Sequence, residues 1–192
     1  MNTMSAEQTR VSYENARVNL ELSWRFYQMS EVINNMKTRR SIRKYKPDMI
    51  PEDVLNRIIE AGTYAATGMG KQSPIIIAVT NKEIRDKFSK MNAEIMGVDS
   101  DPFYGAPVVL IVLADKSRPT YVYDGSLVMG NLMLAAHAEG IGSCWIHRAK
   151  EEFESLGIEG DYEGIGHCVL GYVDGEEPKA MPRKENYVYC VK

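Results

Sequence analysis

Three guanidinium groups and one hydroxyl fall within five residues near the start of the chain, in the segment Arg39–Arg43. Arg39, Arg40 and Arg43 surround Ser41 there. Guanidinium forks bind phosphate through paired hydrogen bonds, and a serine hydroxyl adds a donor. The segment is therefore a candidate phosphate site. A solvated basic face is the more common meaning of such a run. A nucleic-acid patch is a third alternative, which the lack of further basic clusters with interleaved aromatic residues disfavours.

A glycine-rich loop, residues 67–74, separates an amphipathic stretch from a short apolar run. Its glycines allow the backbone to approach a ligand closely. Lys71 and Gln72 are the polar groups best placed to reach an acceptor on the edge of a ring. The loop lacks the GxxxxGK[ST] spacing of a P-loop, and it precedes a strand, which reverses the order of the dinucleotide fingerprint. A plain connecting loop is the alternative.

Two later segments are further candidates. The run Gly140–His147 reads GIGSCWIH and follows a long apolar helix, which indicates either a tight turn packed against a flat group or a helix end before a core strand. Lys179, Arg183 and Lys184 form a second basic group near the C-terminus. They would either converge on the same phosphate or lie in a solvated loop.

Side chains suited to direct catalysis are hard to find in the sequence. The three histidines lack metal-ligand spacing with cysteine or carboxylate, and no Ser-His-Asp set stands out. We therefore expect no metal and no catalytic side chain, with the chemistry belonging to a cofactor. The three cysteines lie far apart, as expected of reduced thiols in a cytoplasmic protein.

Composition bounds the class of protein. The 192 residues carry 23 Lys and Arg against 26 Asp and Glu, a net charge of −3. This balance argues against a dedicated nucleic-acid binder. No run approaches the roughly 18 apolar residues of a membrane span. Composition alone predicts one soluble domain, with no membrane and no nucleic-acid partner.

The hydrophobic pattern predicts helices that alternate with strands, and hence an α/β or α+β sandwich around one sheet. Asn81 is the expected N-cap of one helix, and Pro51 the expected first residue of another. Helices are predicted at 51–66, 81–96, 123–138 and 150–156, and strands at 75–80, 107–114, 167–173 and 187–191. Residues 143–147 are predicted as a short strand or a turn.

Residues 1–28 differ from the rest of the chain. Glu7, Glu14 and Glu21 recur every seven residues beside a thin apolar stripe, which predicts a helix unable to fold alone. Such a helix would lie on the body of the protein or on a partner. Alternatively it precedes the natural start, with Met29 or Met36 as the first residue. We divide the chain into this extension and a domain of residues 29–192.

In order along the chain, these segments resemble the nitroreductase family of FMN-dependent, NAD(P)H-using oxidoreductases. The resemblance covers residues 30–192, and the arginine segment with the helix before GIGSCWI forms its most specific pair. It is carried by Thr38–Tyr45, Thr67–Pro74, Asp124–His137, Gly140–Ile146, Val169–Tyr172 and the basic segment around Arg183. It implies an α+β three-layer sandwich, with a mostly antiparallel central sheet flanked by helices and an N-terminal helical extension. It also implies a homodimer with FMN at the interface.

The resemblance assigns cofactor-binding roles to twelve residues. One group holds the flavin phosphate and ribityl chain, a second lies against the isoalloxazine ring, and a third approaches the ring from the partner subunit. The phosphate and ribityl group comprises Arg39, Arg40, Ser41 and Arg43, joined at the phosphate by Arg183 and Lys184. The group against the ring comprises Gly70, Lys71 and Gln72. The group from the partner subunit comprises Trp145, Ile146 and His147. The C-terminal strand would cross to the other subunit's sheet.

One position departs from the family. Its loop usually reads Asn-x-Gln-Pro-Trp, whereas this chain reads Gly70-Lys71-Gln72-Ser73-Pro74. Lys71 or backbone N–H groups would replace the missing asparagine at the ring edge, and the pocket and substrate would differ accordingly.

The resemblance implies electron transfer from NADH or NADPH through FMN to nitroaromatic, quinone or similar small-molecule acceptors, by a ping-pong mechanism. Alternatives on the same fold are a flavin-dependent dehalogenase, a dehydrogenase or a supplier of reduced flavin. A non-enzymatic flavin-binding or redox-sensing protein is the alternative from another class.

Overall fold

The computed structural model describes residues 31–147 and 158–191. The chain divides into two units between Thr38 and Arg39, so that residues 31–38 belong to the first unit and the other described residues to the second. In the first unit residues 31–38 are helical (α1), and the Thr38 hydroxyl donates to the Asn34 carbonyl at 2.8 Å. The helices predicted within residues 1–28 and 150–156 lie outside the described residues. The domain boundary after residue 28 stays a prediction.

The second unit contains three further helices and four strands among its described residues. The helices are α2 (Glu52–Thr63), α3 (Lys82–Met96) and α4 (Tyr121–Ala138). The strands are β1 (Pro74–Val79), β2 (Val108–Asp115), β3 (Gly142–Ile146) and β4 (Tyr162–Gly171). Short 3₁₀ turns occupy Gly68–Gly70 and Glu185–Tyr187.

The ends of α3 follow directly from the residues that flank it. The Asn81 side chain accepts the Ile84 N–H at 3.0 Å, which confirms the predicted N-cap. Gly97 takes a left-handed conformation with φ +66° and ends the helix. Pro51 in contrast is extended, with φ −55° and ψ 140°, so it precedes α2 and is not its first helical residue.

The four strands form one antiparallel sheet in the order β1-β2-β4-β3. Side chains of β2 alternate between two apolar cores, one on each face of the sheet. Val108, Leu110 and Val112 face the core that includes α2 and α4, while Val109 and Ile111 face the core that includes Phe88 of α3. The predicted α+β sandwich with an antiparallel central sheet is confirmed.

The arginine segment adds to this sheet beside β3. Ser41 forms a parallel bridge to Ser143, and the Ile42 N–H donates to the Ser143 carbonyl at 2.9 Å. Further along, Tyr45 bridges to Val173 and its hydroxyl donates to the Ile42 carbonyl at 2.8 Å. These bonds fix residues 41–45 against the edge of the sheet.

Helix α4 lies against both α2 and the sheet, and two glycines permit the close approach. A Cβ at Gly62 of α2 would come within 2.6 Å of the Leu132 side chain. A Cβ at Gly125 of α4 itself would come within 2.4 Å of Ile165 on β4. The first turns of α4 are therefore pressed onto the sheet.

Two strand predictions differ from the structure. β4 begins at Tyr162, five residues before the predicted start at His167, because glycines at 164 and 166 hide its alternating pattern. A register shift opposite Val112 and Leu113 also inserts Ile165 as an extra residue.

Residues 187–191, predicted as an edge strand, are not a strand in the single chain. Glu185–Tyr187 is a 3₁₀ turn, and Val188 to Val191 are exposed. An extended segment becomes a strand only when a neighbouring strand accepts its backbone hydrogen bonds. Among the described residues, no helix is long and apolar enough to cross a membrane.

Candidate cofactor-binding site

The three arginines of the segment 39–43 differ in what they contact. Arg40 Nη1 donates to the Arg39 carbonyl at 2.9 Å, and the exposed Arg43 reaches the Ser41 carbonyl at 3.4 Å. Arg39 is half-buried, and its Nη1 is buried with no hydrogen-bond partner among the described residues. A buried guanidinium nitrogen without an acceptor is unfavourable unless an anion fills the place. This orphaned donor fits a phosphate group.

Ser143 and Cys144 of β3 lie beside the same segment. The Ser143 hydroxyl is buried and, within the described part of the chain, also has no partner. Burial raises the pKa of the Cys144 thiol, and the opposing effects of Arg43 and Ser41 are smaller. Cys144 is therefore a neutral thiol. Ser143 lies within the candidate run Gly140–His147, but its hydroxyl had no role assigned from the sequence.

The loop Thr67–Ser73 has a left-handed backbone at three positions. Met69, Gly70 and Gln72 have φ values of 52°, 65° and 49°. The amides of Gly70 and Lys71 donate to the carbonyls of Thr67 and Gly68 at 3.0 and 3.1 Å. The Gln72 amide donates to the Thr67 hydroxyl at 3.0 Å. Because these amides already have acceptors, the exposed Lys71 side chain becomes the better candidate to replace the family's asparagine.

Asp124 of α4 holds this loop, and the sequence analysis did not assign it a role. The carboxylate is 3% exposed and accepts hydrogen bonds from the Gly68 N–H at 2.9 Å and the Ser73 hydroxyl at 2.9 Å. The Thr120 hydroxyl donates to it at 3.0 Å. The sequence does contain one sign of such a role, because Asp124 is the only acidic or basic residue besides histidine in the apolar helix α4. A buried carboxylate needs donors, so it marks a tertiary contact.

Trp145 and His147 line a groove at the far end of β3. The Trp145 indole N–H donates to the Ile165 carbonyl at 3.3 Å. The rings of Trp145 and His147 meet edge to face, with their centroids 6.3 Å apart. The groove has a volume of about 490 Å³ and is also lined by Val122 and Ser126 of α4. Ile146 lies between them with its side chain buried, which leaves its backbone for any contact with a ligand.

Two elements bring the predicted clusters together. β3 begins at the arginine segment and ends at the Trp145 groove. The first turns of α4 contact the loop through Asp124 and the groove through Val122 and Ser126. β3 therefore connects the phosphate candidate to the groove, and the start of α4 connects the loop to the same groove.

The C-terminal basic residues make local contacts. Arg183 Nη2 donates to the Met181 carbonyl at 2.7 Å, and Lys184 Nζ lies 5.3 Å from the centroid of the Tyr187 ring. Both side chains are exposed. Their convergence with the arginine segment stays a prediction.

The fold and the site's geometry define an α+β protein whose basic segment fits a phosphate. The model of the Nitroreductase family matches residues 36–102 and 94–172, which together span more than half of the chain. The chain belongs to this family, as predicted.

Two archaeal relatives are each named as an NADH dehydrogenase/NAD(P)H nitroreductase. The protein from Methanothermobacter thermautotrophicus is 32% identical over 124 residues, covering 60% of this chain and 60% of its own length. The one from Archaeoglobus fulgidus is 30% identical over 160 residues, covering 78% of this chain and 89% of its own. This chain thus spans less than two thirds of the first relative.

A similar solved structure is a nitroreductase with bound FMN from Bacteroides fragilis. It has a TM-score of 0.77 and 28% identity, covering 84% of this chain and 99% of that one. The expected enzyme class and the expected cofactor agree with the names of these relatives.

Proposed function

We propose that this chain is an FMN-dependent oxidoreductase that takes electrons from NADH or NADPH and delivers them to nitroaromatic, quinone or similar acceptors. The proposal is supported by the family membership and by the FMN named in the Bacteroides fragilis structure. The observation that carries it is the buried, unpartnered Nη1 of Arg39. FMN, held by the arginine segment, would supply a ring able to accept a hydride from a nicotinamide and to pass the electrons to a second substrate, and we propose that the two substrates use one pocket in turn, which is a ping-pong mechanism.

The arginine segment would hold the phosphate. Arg39 offers a buried Nη1, Ser143 of β3 offers a buried hydroxyl, and Ser41, which bridges to Ser143, offers a second hydroxyl. Arg43 is exposed and would contribute a screened charge, as would Arg183 and Lys184 if the tail folds back onto the site. We therefore rank Arg39 above Arg43 as the main phosphate ligand.

Lys71 would act at the ring. The backbone N–H groups of Gly70, Lys71 and Gln72 already donate hydrogen bonds to acceptors within the loop. The Lys71 ammonium is therefore the group that can approach a negative charge developing on the ring. A fixed cation at that place stabilises the reduced, anionic form of a ring and raises its tendency to accept electrons. No acid or base of the chain is required for hydride transfer.

A second copy of the chain would complete the site. Tyr123 and Leu127 of α4 are 72% and 50% exposed, and the tail residues Val188 and Tyr189 are 74% and 81% exposed. Exposed apolar groups of this size favour a subunit interface. We propose a homodimer in which Trp145, Ile146 and His147 approach the flavin of the partner. The cytoplasmic location stays a prediction.

The visible spectrum of the purified protein, loaded with FMN where necessary, tests this function. We expect flavin absorbance that remains with the protein on gel filtration and bleaches anaerobically with NADH or NADPH. Colour should return on addition of a nitroaromatic or a quinone. Failure to retain FMN at all would contradict the proposal. Retention without bleaching by either nucleotide would favour the non-enzymatic alternative, and salt-sensitive DNA affinity in a colourless protein would favour the nucleic-acid alternative.

A further inference from the structure

The loop that carries Lys71 and Gln72 is held in a conformation that most residues avoid. Met69 and Gln72 have side chains yet adopt left-handed backbone angles, with φ of 52° and 49°. Such angles cost free energy and persist only where surrounding contacts over-determine them. The contacts that fix this loop therefore decide where Lys71 and Gln72 point.

One carboxylate holds both ends of the loop. Asp124 Oδ1 accepts the Gly68 N–H and Oδ2 accepts the Ser73 hydroxyl, each at 2.9 Å. The approach is close, because a Cβ at Gly68 would lie 2.3 Å from the Thr120 hydroxyl oxygen. Residues 69–72 span the gap between two anchored points.

Further contacts hold the carboxylate in place. The Thr120 hydroxyl donates to Asp124 Oδ2 at 3.0 Å, and the Asp124 N–H donates to the Thr120 carbonyl at 2.9 Å. The next residue, Gly125, packs against Ile165 so closely that no side chain would fit. Asp124 thus ties the loop to the helix and, through the helix, to the central sheet.

We infer that Asp124 is a positioning residue that holds the loop Gly68–Ser73 so that Lys71 and Gln72 face the flavin ring. The inference rests on the proposed function, because the ring is the ligand that the loop would meet. Asp124 acts through the loop and not on the flavin, so its removal changes the ring end of the site and leaves the phosphate contacts of Arg39 in place.

Two measurements on Asp124→Ala test the inference. In the flavin-free protein, we expect hydrogen exchange at the amides of residues 70–72 to accelerate at least about tenfold, because the loop loses its anchor. With FMN bound, we expect a lower reduction potential, because the Lys71 cation is no longer fixed near the ring. FMN affinity should change less than about threefold, because the phosphate contacts remain.

Two variants sharpen the result. Asp124→Asn keeps an oxygen for the Gly68 N–H, and the hydroxyls of Ser73 and Thr120 can turn to accept from its amide, so it should restore most of the slow exchange and the potential. Ser73→Ala removes the hydrogen bond from Ser73 to Asp124. It should change the exchange rate and the reduction potential in the same direction as Asp124→Ala, but by less. It also serves as the test variant if Asp124→Ala does not fold.

Asp101→Ala is the matched control. Asp101 also accepts backbone and serine donors, from the Phe103 N–H at 2.9 Å and the Ser89 hydroxyl at 2.6 Å, but it anchors a different loop. Asp101→Ala should lower the free energy of unfolding without changing amide hydrogen exchange at residues 70–72 or the reduction potential of the bound FMN. Unchanged exchange in Asp124→Ala, an unchanged potential, or an equal shift in Asp101→Ala would each overturn the inference. A wild-type protein that retains no FMN would defeat the proposed function instead, and the exchange experiment would still decide whether Asp124 anchors the loop.

Discussion

Arg39 and Asp124 each bury charged atoms, but the residues that the structure describes supply hydrogen-bond partners for the buried atoms of Asp124 and not for Nη1 of Arg39. Asp124 has donors from Gly68, Ser73 and Thr120. Arg39 Nη1 has no acceptor in the described residues. The carboxylate is therefore a structural anchor, whereas the guanidinium is available to an anionic ligand.

Replacing Arg39 by alanine should weaken FMN binding. A hydrogen bond to a charged group is worth about 1.5–3 kcal/mol, which corresponds to a dissociation constant raised roughly 10- to 150-fold. Arg43→Ala should have a smaller effect because its side chain is exposed. Quenching of flavin fluorescence on titration measures both constants.

Arg57→Ala provides the control for this titration. Arg57 is paired with Asp53 and Glu139, with nitrogen–oxygen distances of 2.9 Å in both cases. Its loss should leave FMN affinity unchanged. Equal affinities for the wild type and Arg39→Ala would place the phosphate elsewhere.

At the scale of residues, the sequence predicts which side chains form the phosphate site, and this stays a prediction, but it does not rank them. The spacing of Arg39, Arg40 and Arg43 indicates a phosphate site, but it does not predict which of the three side chains is the most buried. Arg39 and Arg40 are half-buried and Arg43 is exposed in a segment that pairs with Ser143, about 100 residues further along the chain. Local spacing carries no information about such a pairing.

At the scale of elements, helix ends were predictable where a single residue determines them. Asn81 starts α3 with its own side chain, so the signal is local. The start of β4 was missed because Gly164 and Gly166 interrupt its apolar pattern. The extra residue Ile165 has a tertiary role, since its carbonyl accepts the Trp145 N–H.

The contact between α3 and the loop after it depends on one ionised carboxylate. Burial acts to raise the pKa of Asp101, but hydrogen bonds from Ser89, Arg85 and the amide of Phe103 outweigh it and lower the pKa below its usual value. Arg85 is itself buried, and its Nε donates to the Ala106 carbonyl at 2.9 Å. Protonation of Asp101 would break this network.

We expect this network to make the protein acid-sensitive. Because the pKa of Asp101 is lower in the folded state, its contribution to stability is complete above the unfolded pKa of about 3.9 and is lost as pH falls through the folded value. Asp101→Asn should be less stable than the wild type at neutral pH, and the difference should shrink below about pH 4. Urea midpoints measured across this range check the prediction. A difference that stays constant with pH would contradict it.

At the scale of the whole molecule, the apolar groups left exposed on α4 support assembly. Val122, Tyr123 and Leu127 lie on the same helix that carries Asp124, so an interface there would lie beside the loop and the groove. Dimerisation and cofactor retention should therefore be coupled.

Leu127→Glu should shift the protein from dimer to monomer and weaken FMN retention, because it introduces a charge into the proposed interface. Ile95→Glu, at a residue of α3 that is 54% exposed, is the control and should change neither property. Sedimentation velocity at micromolar concentration, with flavin absorbance followed in the same run, measures both. A monomeric wild type that retains FMN would contradict the proposed dimer.

The pairing of the arginine segment with the sheet has a consequence for biosynthesis. Ser41 pairs with Ser143 and Tyr45 with Val173, so the segment emerges from the ribosome about 100 to 130 residues before its neighbours. The arginines have no β3 or β4 to lie against during that interval, because both strands follow them in the chain. A phosphate site of the proposed kind would become ordered only after residues 143 and 173 have been synthesised, because they form the bridges that fix the arginine segment.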